Sequence, residues 1–264
     1  MEDSEMDLSR ILEAWSYGDK KHVRRVTNHR GDEVLQVRLP LGIEQYEFQG
    51  RPDGRRPQGQ ESWFHYYVNE TEKKPWDIEL SEEDFQRLKE ECLLYYYRYL
   101  LFFQVGEYEY CSRDTMRNIE VLDFTDKHFP AELCASLQQY RPYILRMHFM
   151  SEALGTIDSG GDIPAALTIL SEAACLIEDL PKLAKNKIFP LEQKNSLRAI
   201  EELRQQLFKM LPPDPLSELR ERLAEAIVNE DYEEAARLRD SCLLYTSDAA
   251  DEGLGVDLGG RRII

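Results

Sequence analysis

The side chains that most often perform covalent or acid–base chemistry are scattered along this sequence. Five histidines and five cysteines occur, but none falls at the CxxC or HExxH spacing typical of metal sites. The sequence also lacks the P-loop, GxGxxG and GxSxG patterns. We therefore predict no catalytic residue, no metal site and no cofactor, and so a protein that is not an enzyme. We expect the cysteines to be buried, reduced thiols.

The segment DYEEAARLRD is more specific than these scattered residues, because an aromatic residue, two alanines and an Arg-Asp pair all fall in register. It places an aromatic residue, Tyr232, ahead of Ala235 and Ala236 and of the charged pair Arg239 and Asp240. We expect Tyr232 to fill the crossing point of two helices, and the two alanines to let those helices pack closely. The charged pair could form charge-assisted hydrogen bonds at the open end or across to a partner.

The residues before this segment predict the element that positions it. Leu216, Leu219 and Leu223 lie on one helical stripe, and Leu238 is an apolar position of the following helix. The letters NED between the helices indicate a tight turn, so residues 216–241 are predicted to form an antiparallel helical hairpin. A hairpin of this size buries little apolar area. We expect it to pair, often with another copy of itself.

This hairpin resembles the UVR motif, which is found in the excinuclease subunits UvrB and UvrC and in regulators of the Clp protease machinery. The resemblance implies docking on a partner with a like hairpin, either UvrB or UvrC in nucleotide excision repair or a Clp-type unfoldase. It does not imply excision, because UvrB's helicase motifs and UvrC's nuclease residues are absent, as are the zinc-binding cysteine pairs of some Clp regulators. An acidic hairpin with a solvated charged face is the alternative. The predicted partner-binding residues are Leu219, Leu223, Tyr232, Ala235, Ala236, Leu238, Arg239 and Asp240.

The helical pattern changes character at Cys242. Residues 242–264, CLLYTSDAADEGLGVDLGGRRII, resemble translated sequencing-library adapter in two constant blocks that share one frame. We expect this segment to be non-native, with the natural protein continuing beyond Ser241 in a sequence that is not present here. A genuine disordered tail is the alternative.

Residues 81–210 are predicted to be a helical domain. Ser81 and Asp84 resemble a capping box, and apolar residues follow at spacings of three and four. Two helical pairs, turning at Gly106 and at Gly161, resemble tetratricopeptide-type hairpins with an insertion carrying QQYRPY between them. We expect each glycine to turn the chain with a positive φ. A plain helical bundle is the alternative.

Residues 1–80 are predicted to form a small α+β region with a short opening helix. Valines and leucines on either side of NHRGDE predict a β-hairpin that turns at Gly31, and GIEQYEF could add a third strand. The aromatic residues Trp63, Phe64, Tyr66, Tyr67 and Trp76 could stack on bases or pack a sheet onto a helix.

The same region is locally basic. It could bind nucleic acid or an acidic partner, or it could be a solvated surface that balances an acidic body. The residues that would contact nucleic acid are Lys20, Lys21, Arg24, Arg25, Arg55 and Arg56.

The net charge of −17 argues against a general polyanion binder. No apolar run is long enough to span a bilayer, so we expect a cytoplasmic protein that does not contact the membrane. The predicted fold is mostly α with a small N-terminal α+β region. The helical domain, the linker 211–215 and the C-terminal hairpin follow that region in order, an arrangement that resembles bacterial proteins with a UVR domain. The leading hypothesis is a non-enzymatic adaptor, and the alternative is a nucleic-acid-binding protein.

Overall fold

A computed structural model of the protein describes residues 8–18, 22–73, 80–183, 186–211 and 215–241. The chain forms two compact units, and the boundary between them lies between Lys209 and Met210. The chain is mostly helical with a small N-terminal sheet, which confirms the predicted fold class. The tail 242–264 lies outside the described residues, as do Lys20, Lys21 and Trp76.

The sheet has three antiparallel strands in the order β1 (Val23–Thr27), β2 (Glu33–Leu39) and β3 (Gly42–Glu47). Gly31 turns the first hairpin with a φ of 88°, a conformation that costs glycine little because it lacks a Cβ. Asn28 supports this turn, because its Oδ1 accepts hydrogen bonds from two backbone N–H groups of the loop. The predicted hairpin and third strand are confirmed.

Helices make up the rest of the first unit. They are α1 (Ser9–Ala14), α2 (Trp63–Lys73), α3 (Glu82–Val105), α4 (Tyr108–His128), α5 (Ala131–Gln138), α6 (Arg141–Asp158), α7 (Ile163–Glu178) and α8 (Ile188–Phe208). Helix α4 packs between α3 and α6, and α7 and α8 follow against α6. The resemblance of the paired helices to tetratricopeptide repeats stays a prediction.

Local signals fix both ends of α3. The Ser81 hydroxyl accepts from the Asp84 backbone N–H, and the Asp84 carboxylate accepts from the Ser81 backbone N–H at 2.9 Å, which completes the predicted capping box. Gly106 ends the helix in the left-handed region with a φ of 81°. Only two residues then connect α3 to α4, so the two helices form a hairpin.

The turn between α6 and α7 corrects one prediction. The residue with positive φ is Gly160, at 88°, and not Gly161. Gly161 is constrained in another way, because a Cβ there would lie 2.6 Å from the carbonyl oxygen of Thr156, which accepts the Gly161 N–H. The two glycines therefore have different functions, one in backbone conformation and one in close approach.

The sheet and the helices share one apolar core. Leu35, Val37, Tyr46 and Phe48 pack there with Tyr99, Phe102, Cys111 and Met147. The ring of Phe48 meets that of Phe102 edge-on, with centroids 5.0 Å apart. This packing fixes the N-terminal sheet against α3, α4 and α6.

The aromatic residues of α2 were expected to pack a sheet onto a helix or to stack on bases. They lie on a helix, and they pack it against α3 and α4. The Phe64 ring meets Phe124 edge-on at 5.8 Å, and the buried Tyr67 donates to Asp84 at 2.6 Å. A carboxylate of α3, Glu91, accepts the backbone N–H groups of Trp63 and Phe64 at the start of α2.

The cysteines differ in burial. Cys92, Cys111 and Cys134 are buried free thiols, as predicted. Cys175 is exposed, which corrects the expectation of burial for that residue. It lies on α7 beside Leu176, which is also exposed, so this part of the helix faces solvent.

Candidate functional site

The candidate site is the C-terminal hairpin, which consists of α9 (Pro215–Val228) and a second helix, α10, over residues 232–241. Backbone hydrogen bonds close the turn between them. The Asp231 N–H donates to the Ala226 carbonyl at 2.9 Å, and the Glu230 N–H donates to that of Ile227 at 3.1 Å. This pair of bonds defines a Schellman motif. The left-handed residue of the motif is Glu230, with a φ of 58°, where glycine is usual.

Asp231 ends the turn and begins α10. Its side-chain Oδ1 accepts the Glu234 N–H at 3.2 Å, and its carbonyl accepts the Ala235 N–H at 3.0 Å. An aspartate at this position satisfies free N–H groups and places a negative charge at the positive end of the helix. The NED turn predicted from the sequence is thus formed by αL geometry at Glu230 and capping by Asp231.

The interior of the hairpin is small. Ala226 of α9 packs against Ala235 and Leu238 of α10, and all three are buried. Leu219 and Leu223 extend this cluster and are partly buried. Alanines at the contact let the two backbones approach, so the predicted role of Ala235 agrees with its position.

Two of the predicted packing positions are wrong. Tyr232 does not fill the crossing point of the helices, because 70% of its surface is exposed. Ala236 is also exposed, so only one alanine of the pair faces α9. The reason is geometric: Tyr232 is the first residue of α10 after its cap, and Ala236 lies one helical turn further on the same side.

Exposed apolar side chains flank the turn. Ile227 and Val228 at the end of α9 are exposed, as is Tyr232 at the start of α10. Ile227 and Val228 are not among the partner-binding residues predicted from the sequence. Their position in the sequence could have indicated exposure, because two adjacent residues at the end of a helix, just before a polar turn, cannot both face the partner helix.

The charged residues of the hairpin mostly pair within it. Arg222 of α9 lies 3.4 Å from Glu234 of α10 and so bridges the two helices. Arg239 donates to Asp240 through two nitrogens, at 2.7 and 2.9 Å. Both residues of this second pair are exposed, so the pair remains accessible to a partner. A surface ion pair of this kind contributes little to stability.

The N-terminal arginines that were predicted to contact nucleic acid do not form one free cationic face in the described residues. Arg24 donates to Gln36 and lies over the Trp15 ring at 4.0 Å. Arg25 forms ion pairs with Glu33 and Glu107. Arg55 and Arg56 are exposed, and Arg55 lies 3.8 Å from Asp53. The nucleic-acid hypothesis stays a prediction.

In the described part of the chain, no group of three or more histidines, cysteines or carboxylates is arranged to hold a metal ion. The buried His148 contacts the hydroxyls of Ser112 and Thr115 at 3.2 Å, and His65 contacts Ser62 at 2.8 Å. Every helix in the same described segments is too short or too polar to cross a bilayer.

Comparison with known proteins identifies the hairpin. Residues 214–244 match the family model for UVR, the UvrB/uvrC motif. No curated protein and no solved structure matches the chain. The motif occurs in UvrABC-related and Clp-related proteins and typically mediates protein interactions. This chain therefore contains a segment that matches the UVR motif, and the helical hairpin that begins at Pro215 lies within it.

Proposed function

We propose that this protein is a non-enzymatic adaptor that docks on a partner protein through its C-terminal hairpin. One observation carries the proposal: the segment that matches the UVR motif is a hairpin whose Ile227, Val228 and Tyr232 are exposed to solvent. Apolar side chains grouped along a short stretch of surface favour contact with another protein. Tyrosine in particular is frequent among residues that contribute most to binding.

The partner we propose carries a hairpin of the same kind. Such a hairpin offers a matching small apolar face, and its charged side chains can pair with the exposed Arg239 and Asp240. UvrB and UvrC meet this description, which would make the protein an accessory of nucleotide excision repair in a bacterial cytoplasm. A Clp-type unfoldase also meets it, as does a second copy of this chain. The helical body would then hold a client.

The proposal is tested by measuring binding of the full chain to purified UvrB, to UvrC and to a Clp-type unfoldase, each in turn, by biolayer interferometry. Self-association is measured by analytical ultracentrifugation. We expect the chain to bind one of these three proteins or a second copy of itself. Tyr232→Asp should weaken that binding by at least tenfold, which corresponds to about 1.4 kcal/mol. The tyrosine is exposed, so this substitution should leave the fold intact.

A matched control comes from the opposite helix. Ala224 is exposed on α9 and is not among the predicted binding residues. Ala224→Asp introduces the same charge without removing an apolar contact, so affinity should stay within about twofold of the unmodified chain. Equal affinity of the Tyr232→Asp variant and the unmodified chain, or no binding and no self-association at all, would refute docking through this hairpin.

A further inference from the structure

A cavity of about 350 Å³ lies in the first unit, where the loop after β3 and the start of α2 meet α3 and α4. Volumes of about 300–1,000 Å³ are usual for small-molecule sites in proteins. More than half of the residues that line the cavity are charged, and three of them are arginines: Arg98, Arg113 and Arg117. Arg98 and Arg117 are buried, whereas 35% of the Arg113 side chain is exposed. Arg113 is therefore the most accessible of the three to a molecule in the cavity.

Two of these arginines share one carboxylate. The buried Asp114 carboxylate accepts from Arg98 at 2.6 and 2.9 Å and from Arg113 at 2.9 and 3.0 Å. One negative charge thus faces two positive charges in a poorly solvated place. A charge that is incompletely compensated in such a place is unfavourable, and an added anion removes part of that cost.

The third arginine is also incompletely compensated. Arg117 forms an ion pair with the buried Glu91, but the same carboxylate accepts the backbone N–H groups of Trp63 and Phe64. Its negative charge is therefore divided between a guanidinium and the positive end of α2. The Nε of Arg117 is buried and has no hydrogen-bond partner among the described residues. The inner end of the cavity is thus cationic and favours an anionic group.

The outer part of the cavity carries the opposite charge. Glu61 and Glu120 line it, and both side chains reach solvent. Glu61 lies 3.9 Å from the Nε2 of His65, and neither carboxylate forms an ion pair with an arginine in the part of the chain that the structure describes. A purely anionic compound would be repelled by these two carboxylates, whereas an ammonium group on the same compound would be attracted to them.

We propose that this cavity binds a small zwitterion, an amino acid whose carboxylate faces Arg113 and whose ammonium group faces Glu61 and Glu120. Arginine suits the inner end because its planar guanidinium can donate parallel hydrogen bonds to a carboxylate. The outer glutamates are solvated, so each contributes less to binding than the arginine does. This site does not depend on the docking function of the C-terminal hairpin.

The test uses three probes that differ by one charged group, with affinities measured by ligand-observed NMR on the full chain. They are 4-aminobutyrate, butyrate, which lacks the ammonium group, and butylamine, which lacks the carboxylate. We expect 4-aminobutyrate to bind about tenfold more tightly than butylamine, since a charge-assisted hydrogen bond has an effect of that order. It should bind about threefold more tightly than butyrate, because the pairing at the outer end is exposed.

Variants at the two ends locate the site. In Arg113→Gln, 4-aminobutyrate and butylamine should bind equally, and the fold should persist because Arg98 still pairs with Asp114. In Glu120→Gln, which changes an exposed carboxylate, the advantage of 4-aminobutyrate over butyrate should shrink. Arg55→Gln is the control, because this exposed arginine does not line the cavity, and all three affinities should stay unchanged.

Three results would overturn the assignment of a zwitterion site. The first is that 4-aminobutyrate does not bind the unmodified chain. The second is that butyrate binds as tightly as 4-aminobutyrate, which would indicate a site for anions alone. The third is that 4-aminobutyrate keeps its full advantage over both other probes in Arg113→Gln and in Glu120→Gln, because the ligand would then lie elsewhere.

Discussion

Arg98 of α3 and Asp114 of α4 form a buried, two-pronged ion pair. The Nε of Arg98 donates to one carboxylate oxygen at 2.6 Å and an Nη donates to the other at 2.9 Å, and each residue is 1% exposed. The remaining Nη donates to the carbonyl of Glu47 in β3. One guanidinium thus connects the sheet to both helices of the first pair.

This arrangement predicts a large penalty for removing one partner. Arg98→Leu leaves the Asp114 carboxylate buried with less compensation, so the free energy of unfolding should fall by about 3–5 kcal/mol. Urea denaturation followed by circular dichroism measures the change. Arg30→Gln, which breaks exposed ion pairs with Asp32 and Glu47, should cost about 0.5 kcal/mol. Equal urea midpoints for the two variants would contradict the assigned role of Arg98.

A second prediction concerns the turn of the hairpin. Glu230 has a φ of 58°, and this left-handed conformation is unfavourable for a residue with a Cβ. Glu230→Gly should stabilise the hairpin by about 0.5–1 kcal/mol, after allowing for the greater freedom of glycine in the unfolded chain. The stabilisation should be measurable as slower amide hydrogen exchange over residues 222–241. The matched control is Asn229→Gly, where φ is not positive and exchange should become faster.

Stability should also depend on pH through Asp84. Burial alone would raise the pKa of this carboxyl, but hydrogen bonds from Tyr67 and Ser81 hold it below its usual value. A carboxyl with a lowered pKa in the folded state stabilises the fold above the unfolded pKa of about 3.9. That contribution is lost as the pH falls through the lower folded-state value.

The variant Asp84→Asn tests whether the stabilisation by Asp84 is lost as the pH falls. At pH 6 it should lower the melting temperature by about 2–4 °C, because a charge-assisted hydrogen bond contributes about 1 kcal/mol or more. Between pH 5 and pH 2, its melting temperature should approach that of the unmodified chain. Glu82→Gln changes an exposed carboxylate in the same helical turn and should show no such convergence. A constant difference across the whole pH range would exclude a contribution from ionised Asp84.

The fold could be predicted from the sequence where the determining groups lie within a few residues of each other. The capping box of Ser81 and Asp84 and the left-handed Gly106 are of this kind. Helix α2 was missed because its stability depends on distant groups. Its first N–H groups are accepted by Glu91, which is 28 residues after Trp63 in the chain. No local pattern marks a carboxylate as the cap of another helix.

The candidate site shows the same limit on a smaller scale. The sequence correctly predicted a hairpin, its turn and its apolar stripe, since these follow from periodicity and from polar turn residues. It did not predict which side of α10 faces α9. That rotation is set by the αL backbone at Glu230 and by the cap at Asp231, so Tyr232 and Ala236 lie outside the interface rather than within it.

The two adjacent alanines of the hairpin offer the sharpest test of this geometry. Ala235 is buried against Ala226 and Leu238, whereas Ala236 is exposed. Ala235→Glu places a carboxylate in the small apolar interior and should destabilise the hairpin by about 2–3 kcal/mol, which would accelerate amide exchange over residues 222–241. The identical substitution one residue later, Ala236→Glu, should leave exchange unchanged. If Ala236→Glu accelerates exchange as much as Ala235→Glu, α10 is rotated from the orientation described. Tyr232 would then lie nearer the interior, and its exposure could no longer support docking.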